Sequence, residues 1–160
     1  MSKYGAQIAT GGLTTAVTAK TAIMLFGGGA ATTAKNCEVI EAIMTGGGSV
    51  ASADVQHQAM GTFCGETTLG AGTGITAEPF NQVSAAAQGS PVITWTTEPT
   101  TYDTIANVFF GFNQRGGQRW AVPQGEGVKV NFNNTKNRWG WKVLSSAAGN
   151  VEASLNWWED

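Results

Sequence analysis

Charge is scarce in this chain of 160 residues: only 12 % of them are Asp, Glu, Lys or Arg, about half of the usual share for a soluble domain. Small uncharged residues take their place, and glycine alone accounts for 22 positions. Low charge is typical of chains that bury much surface against other protein, because interface cores are depleted in Lys, Glu and Asp. The length suits one domain with a sizeable core, and no linker divides the chain. We therefore predict a single domain over residues 1–160.

Histidine and cysteine are scarcer still, with His57, Cys37 and Cys64 as the only representatives. A structural zinc site needs four such ligands, so we predict no metal site. His57 would have to act as the base of any nucleophilic triad, and there is no Gly-x-Ser-x-Gly elbow. The glycines of residues 70–74 lack the spacing of a dinucleotide loop, so no cofactor is predicted. We expect no enzyme, two buried thiols and a surface histidine, with a Cys37–Cys64 disulfide left open.

Long apolar runs are also missing. The longest, residues 22–26, is far too short to span a bilayer, so we predict no membrane partner. Residues 1–5 do not read as a secretory signal, and synthesis in a cytoplasm is expected.

The few charges are distributed unevenly. Residues 115–142 carry six basic residues and one acid, hence a net charge of +5, whereas the rest of the chain carries −7. A basic segment can indicate nucleic-acid binding. The chain as a whole is acidic, however, and polyanion binders usually are not. We favour a complementary protein surface and predict no nucleic-acid partner.

The segments between turn clusters are typical of short strands. Residues 1–15 are rich in Gly and Thr and predict an extended N-terminal arm or an edge strand, and residues 16–26 fit a helix or a strand equally. Alternating or β-branched segments predict strands at 37–44, 55–64, 92–95, 108–112, 128–132, 139–141 and 151–157. About eight short strands favour an all-β fold, an antiparallel β-sandwich or jelly roll.

Six tryptophans are many for this length. Trp139 and Trp141 would share one face of a strand, so both suit the core. Trp157 and Trp158 are adjacent and would point to opposite faces of a strand. One of the two must therefore leave the core side, which suggests a contact with another subunit or a partner.

Several short motifs occur in an ordered series. They are Tyr4-Gly5, Thr18-Ala19-Lys20-Thr21, the segment 37–42, the turn Val122-Pro123-Gln124-Gly125 before the alternating segment 128–130, and an alternating end that finishes on Glu159-Asp160. In this series, which spans nearly the full length, the chain resembles small phage and prophage virion proteins, the capsid decoration (cement) proteins of tailed phages. The resemblance implies a jelly-roll-like β fold and trimers seated over local threefold axes of the shell.

The implied function is a structural virion protein that binds the outer surface of a phage capsid and stabilises the shell. Its expected partners are the major capsid protein and two further copies of itself. It would be made in the host cytoplasm and act on the capsid exterior. The alternative is a carbohydrate- or receptor-binding β domain of a tail or fibre component, because exposed Trp with Asn and Arg also suits sugar stacking. The residues expected to make partner or subunit contacts are Tyr4, Arg115, Arg119, Arg138, Trp157 and Trp158.

Overall fold

The computed structural model of the chain describes residues 1–8, 12–27, 36–47, 54–65, 70–131 and 135–160. Within these ranges the regular structure consists of thirteen β-strands and no helix. The strands are β1 (Ser2–Gln7), β2 (Leu13–Thr15), β3 (Lys20–Phe26), β4 (Cys37–Gly46), β5 (Gln56–Cys64), β6 (Thr73–Gly74), β7 (Glu78–Pro79), β8 (Ser90–Ile93), β9 (Val108–Asn113), β10 (Gly117–Ala121), β11 (Val128–Val130), β12 (Arg138–Ser145) and β13 (Gly149–Glu159).

The strands form two antiparallel sheets. Sheet A has the order β10-β4-β13-β1-β7, with β11 also paired to β4 and β2 also paired to β13. Sheet B has the order β6-β8-β3-β12-β5-β9. The chain passes between the sheets at both edges, from β6 to β7 and from β9 to β10. The predicted all-β antiparallel sandwich is confirmed; the jelly-roll topology stays a prediction.

Alternation along β13 shows why the sequence forms this strand. Val151, Ala153, Leu155, Trp157 and Glu159 are buried, while the residues between them are half-buried or exposed. This period of two persists although the register against β4 shifts between Asn156 and Trp157. The strand thus has one face on the core and one on the surface.

Two tryptophans of β12 occupy the centre of the core, as predicted. The rings of Trp139 and Trp141 are stacked with centroids 5.7 Å apart and an interplanar angle of 9°. The indole of Trp141 donates a hydrogen bond of 3.2 Å to the carbonyl oxygen of Ile43, so a side chain of sheet B is tied to the backbone of sheet A. Gly61 of β5 makes room for the neighbouring ring, because a Cβ there would lie 1.9 Å from Cζ2 of Trp139.

The first residues of the predicted N-terminal arm form a strand within sheet A. β1 is paired with β13 over its whole length and with β7 at Tyr4 and Gly5, so it lies inside sheet A and not at its edge. Residues 13–15 of the same predicted arm form β2 and also pair with β13. Tyr4 and Ala6 of this segment are buried because β1 pairs with β13 at the other end of the chain, a partner that the local sequence does not reveal. Residues 9–11 lie outside the described residues.

Candidate interaction surface

The outer face of sheet A carries a row of four cross-strand neighbours. Lys3 of β1 lies opposite Trp158 of β13, Trp158 lies opposite Glu38 of β4, and Glu38 lies opposite Lys129 of β11. All four side chains point away from the core, because their strand neighbours point into it. Trp158 is therefore the half-buried aromatic residue at the middle of a charged row.

The loop of residues 122–127 folds over this face and is fixed by Glu38. The carboxylate Oε1 of Glu38 accepts hydrogen bonds from the backbone N–H of Gly125 at 2.6 Å and of Gly127 at 2.7 Å. Gly125 has φ of 96°, a conformation that side-chain-bearing residues rarely adopt. The buried acid of a strand thus holds a glycine turn in one conformation above the sheet.

Together the loop and the end of β13 enclose a pocket of about 420 Å³, which we call the Trp158 pocket. Besides Trp158, its exposed polar lining consists of Asn36, Gln124, Lys129, Asn131 and Asp160. The pocket has an aromatic side chain and a rim of amide and charged groups.

Further along the same face, Arg119 of β10 forms an ion pair with Glu41 of β4. The other carboxylate oxygen of Glu41 accepts a hydrogen bond of 2.7 Å from the amide of Asn156. Burial raises the pKa of Glu41, but the hydrogen bonds from Asn156 and Arg119, with the charges of Arg119 and Lys3, outweigh burial and leave this pKa below its ordinary value. Arg119, a predicted contact residue, is therefore on the surface but already paired with an acid.

Two other predicted contact residues are in the core, which corrects their expected role. Tyr4 is 3 % exposed and Trp157 is fully buried. Their rings stack with centroids 6.2 Å apart, and the Tyr4 hydroxyl donates a hydrogen bond of 2.7 Å to the carbonyl oxygen of Ala85. The prediction that Trp157 and Trp158 point to opposite faces agrees with this arrangement, and Trp158 is the one that leaves the core.

The remaining predicted contact residues are far from this pocket. Arg115 lies in the turn between β9 and β10, where its guanidinium is 3.7 Å from the carboxylate of Asp54. Arg138 begins β12 in sheet B and lies over the ring of Phe26, 5.0 Å from its centroid. The six predicted sites thus do not form one surface.

The basic segment is likewise divided between the two sheets. Arg119 and Lys129 belong to sheet A, whereas Arg138 and Lys142 belong to sheet B. Lys142 lies over the ring of Tyr102 at 3.8 Å from its centroid, and burial lowers the pKa of this lysine. The +5 charge of the sequence is spread over both faces of the sandwich.

The outer face of sheet B carries a different surface. Met60 and Thr62 are successive outward residues of β5. Met60 lies opposite Phe109 of β9. Oγ1 of Thr62 donates a hydrogen bond of 3.4 Å to the carbonyl oxygen of Ile105. Phe109 is 60 % exposed and Ile105 is 81 % exposed. We call Met60, Ile105 and Phe109 the apolar patch.

A second concavity, of about 770 Å³, lies beside β7, which pairs only with Tyr4 and Gly5 of β1. Ile8, Ile75 and Phe80 are among its apolar lining residues. Lys3 lies 4.2 Å from the centroid of the Phe80 ring, and Phe80 itself is 59 % exposed.

His57 is buried at 1 % exposure, which corrects the expected surface position. Its Nδ1 lies 2.7 Å from Oγ of Ser145, and burial lowers the pKa of the ring, so that the imidazole is neutral at pH 7. Within the described ranges, no group of three or more His, Cys, Asp or Glu side chains is placed to hold a metal ion. Cys37 and Cys64 are both buried, they belong to opposite sheets, and no disulfide joins them.

The sequence did not single out Asn36, Gln124 and Asn131 as contact residues, although they line the pocket of Trp158, the predicted aromatic contact that faces away from the core. The available signal was the Val-Pro-Gln-Gly turn next to an alternating strand. That signal indicates a turn, but not that the turn lies over residue 158.

Comparison of the chain with models of protein families, with curated proteins and with solved structures gave no match. Among the described residues, no helix is long and apolar enough to cross a membrane.

Proposed function

We propose that this chain is a structural virion protein that binds the outer surface of a phage capsid and stabilises the shell as a homotrimer. The observation that carries the proposal is the apolar patch on sheet B. Two large apolar side chains, Ile105 and Phe109, are mostly exposed there. They lie next to Thr62 and Met60, two successive outward residues of β5. Large apolar side chains that are exposed near one another are typical of protein–protein contact sites.

The low charge of the chain supports the same function. With 12 % charged residues, the molecule has few of the side chains that resist burial in an interface. The resemblance of its motifs to capsid decoration proteins supplies the kind of partner, a repeated protein lattice.

Trimerisation would make such attachment strong even when each contact is weak. Three copies of the apolar patch that reach three equivalent sites at once bind with an avidity about 10²–10⁴ above that of one contact. A lattice with local threefold symmetry offers such sites at regular spacing, so we assign the apolar patch to the contact between each subunit and the shell.

The test is to add purified protein to shells of the source virus that lack this chain and to measure occupancy on the particle. The double variant Ile105→Ser/Phe109→Ser should lower occupancy at subsaturating concentration by at least about tenfold, since each buried side chain of this size contributes about 1.5–3 kcal/mol. Val17→Ser is the matched control, because Val17 is 69 % exposed but lies outside the apolar patch. Wild-type occupancy by the double variant would remove the patch from the shell contact, and failure of the wild type to bind any shell would refute the function.

A further inference from the structure

We propose that the Trp158 pocket is a binding site for an uncharged saccharide, with one sugar ring stacked on the indole of Trp158. The site lies on the outer face of sheet A, whereas the proposed shell contact lies on sheet B, so this inference stands independently of capsid binding.

The position of Trp158 provides the aromatic platform. The residue is half-buried on an outward strand position, and its strand neighbours on the same face are Asn156 and Asp160, two residues before and after it. Across the strands it is flanked by Lys3 and Glu38. A pyranose ring has apolar C–H faces and a polar edge, and an amphipathic indole surrounded by polar groups matches both parts.

The rim supplies hydrogen-bond partners of the type that hydroxyl groups require. Asn36, Gln124 and Asn131 are exposed and line the pocket. A carboxamide offers both donors and an acceptor, and a sugar hydroxyl is likewise both a donor and an acceptor. Three amides around one aromatic ring can therefore pair several hydroxyls of one saccharide.

The charges around the pocket favour an uncharged ligand. Lys129 lies opposite Glu38, and Asp160 lines the same pocket, so both signs of charge are present around it. The carboxylate of Glu38 is also occupied by the N–H groups of Gly125 and Gly127. An anionic ligand would thus be repelled by Glu38 and Asp160 and a cationic ligand by Lys129, in contrast to a phosphate site, whose lining carries basic charge alone.

The pocket is also formed before any ligand binds. The hydrogen bonds from Gly125 and Gly127 to Glu38 fix the loop, and the N–H of Val122 is bonded to the carbonyl oxygen of Ile40 at 2.9 Å. A site that is already ordered loses less conformational entropy on binding. Its volume of about 420 Å³ lies in the range of roughly 300–1,000 Å³ that is usual for small-molecule sites.

The experiment is a calorimetric or NMR titration of the full chain with a panel of neutral trisaccharides of glucose, galactose, mannose and N-acetylglucosamine. Each saccharide is added up to about 20 mM, a concentration that saturates a single site of millimolar affinity. At least one should bind with a dissociation constant of about 1 mM or below. A sialylated and a sulfated oligosaccharide complete the panel and should bind no more tightly than their neutral counterparts.

Variants assign the binding to the pocket. Trp158→Ala should weaken binding at least about tenfold, and Trp158→Phe should restore part of it, because the smaller ring still stacks. Gln124→Ala and Asn131→Ala replace exposed side chains that lie outside the core, so both variants should fold. Each should weaken binding about threefold to tenfold, which corresponds to the loss of one hydrogen bond. Phe109→Ala, an exposed aromatic of the opposite sheet, is the control and should bind as the wild type does.

Three results would overturn the proposal. The first is the absence of binding across the neutral panel, and the second is binding that neither Trp158→Ala nor the two amide variants weaken. The third is a trimer interface at Trp158: if Trp158→Ala dissociates the oligomer in sedimentation and no saccharide shifts the NMR signals of residues 124 and 131, the pocket is a subunit contact. Occupancy of shells by Trp158→Ala should equal that of the wild type, which separates this proposal from the proposed function.

Discussion

Trp157 and Glu159 point to the same inner face of β13, and the indole Nε1 of Trp157 donates a hydrogen bond of 2.9 Å to Oε1 of Glu159. The same carboxylate accepts the backbone N–H groups of Gln88 at 2.9 Å and of Gly89 at 2.8 Å. Glu159 is only 2 % exposed. Glu159, the last residue of β13, therefore holds residues 88 and 89, which precede β8, against the end of sheet A.

We expect Glu159→Ala to lower the free energy of unfolding by about 3 kcal/mol, because it leaves three buried or partly buried donors without an acceptor. Urea unfolding followed by tryptophan fluorescence measures the change. Glu152→Ala is the control on the same strand, since Glu152 is exposed and its loss should change stability by less than about 0.5 kcal/mol. Equal unfolding midpoints for the two variants would mean that the Glu159 network does not stabilise the fold.

The packing of Gly61 against Trp139 yields a second prediction. Gly61→Ala places a methyl group 1.9 Å from Cζ2 of a fully buried ring, so the core must shift and stability should fall by about 1–3 kcal/mol or more. Gly111→Ala in the neighbouring strand is the matched control, because its Cβ would meet only an ordinary contact at 3.7 Å. If both variants unfold at the same temperature, the stacked tryptophans do not lie over β5.

The thiol of Cys37 should make stability depend on pH in the alkaline range. Burial, together with the charges of Glu159 and Asp160, raises its pKa from 9.0 to about 12. In the unfolded chain the thiol ionises above pH 9.0, whereas in the folded chain it stays protonated, so this stabilisation is present below pH 9.0 and is lost as the pH rises toward 12. Between pH 8.5 and 10.5 the wild type should lose about 2 kcal/mol more than Cys37→Ala.

Denaturant titrations of both proteins at each pH measure this difference, and the comparison cancels the titration of lysines and tyrosines. A constant difference between wild type and variant from pH 8.5 to 10.5 would show that the folded thiol ionises like an unfolded one. Thiol labelling at pH 8 should modify neither cysteine in the native protein and both in denaturant, because Cys37 and Cys64 are buried and are not joined by a disulfide.

Sedimentation at micromolar concentration should show one species of about three times 16.6 kDa, the mass of one chain, if the homotrimer forms without the capsid. The double variant Ile105→Ser/Phe109→Ser should keep this mass, because the proposal assigns the apolar patch to the shell contact. Dissociation of that variant to monomers would instead place the patch between subunits.

The strands that the sequence predicts best are those that bury every second residue. The alternation over 151–157 predicts β13, and that over 128–132 predicts β11, observed at Val128–Val130, with Phe132 outside the described residues. The sequence of segment 16–26 is compatible with a helix or a strand. The segment contains β3, in which Ala22 to Leu25 are all buried, so both faces of this strand of sheet B are covered. Periodicity cannot distinguish a doubly buried strand from a buried helix.

The candidate site could be predicted only in part. The exposure of one of two adjacent tryptophans follows from strand geometry, but which one is exposed depends on the register of β13 in sheet A. The burial of Glu159 runs against the usual position of acids and requires donors from residues 88 and 89, which only the fold brings close. The polar rim of the Trp158 pocket depends in the same way on where the 122–127 loop comes to lie.

Cryo-EM of purified virus particles that carry this chain, with density assigned to it, would distinguish capsid decoration from a tail or fibre role. We expect trimeric density on the outer surface of the shell at local threefold positions, with the apolar patch of Met60, Ile105 and Phe109 toward the capsid and Trp158 away from it. Particles that lack the chain, or that carry it only in the tail or fibres, would contradict capsid decoration.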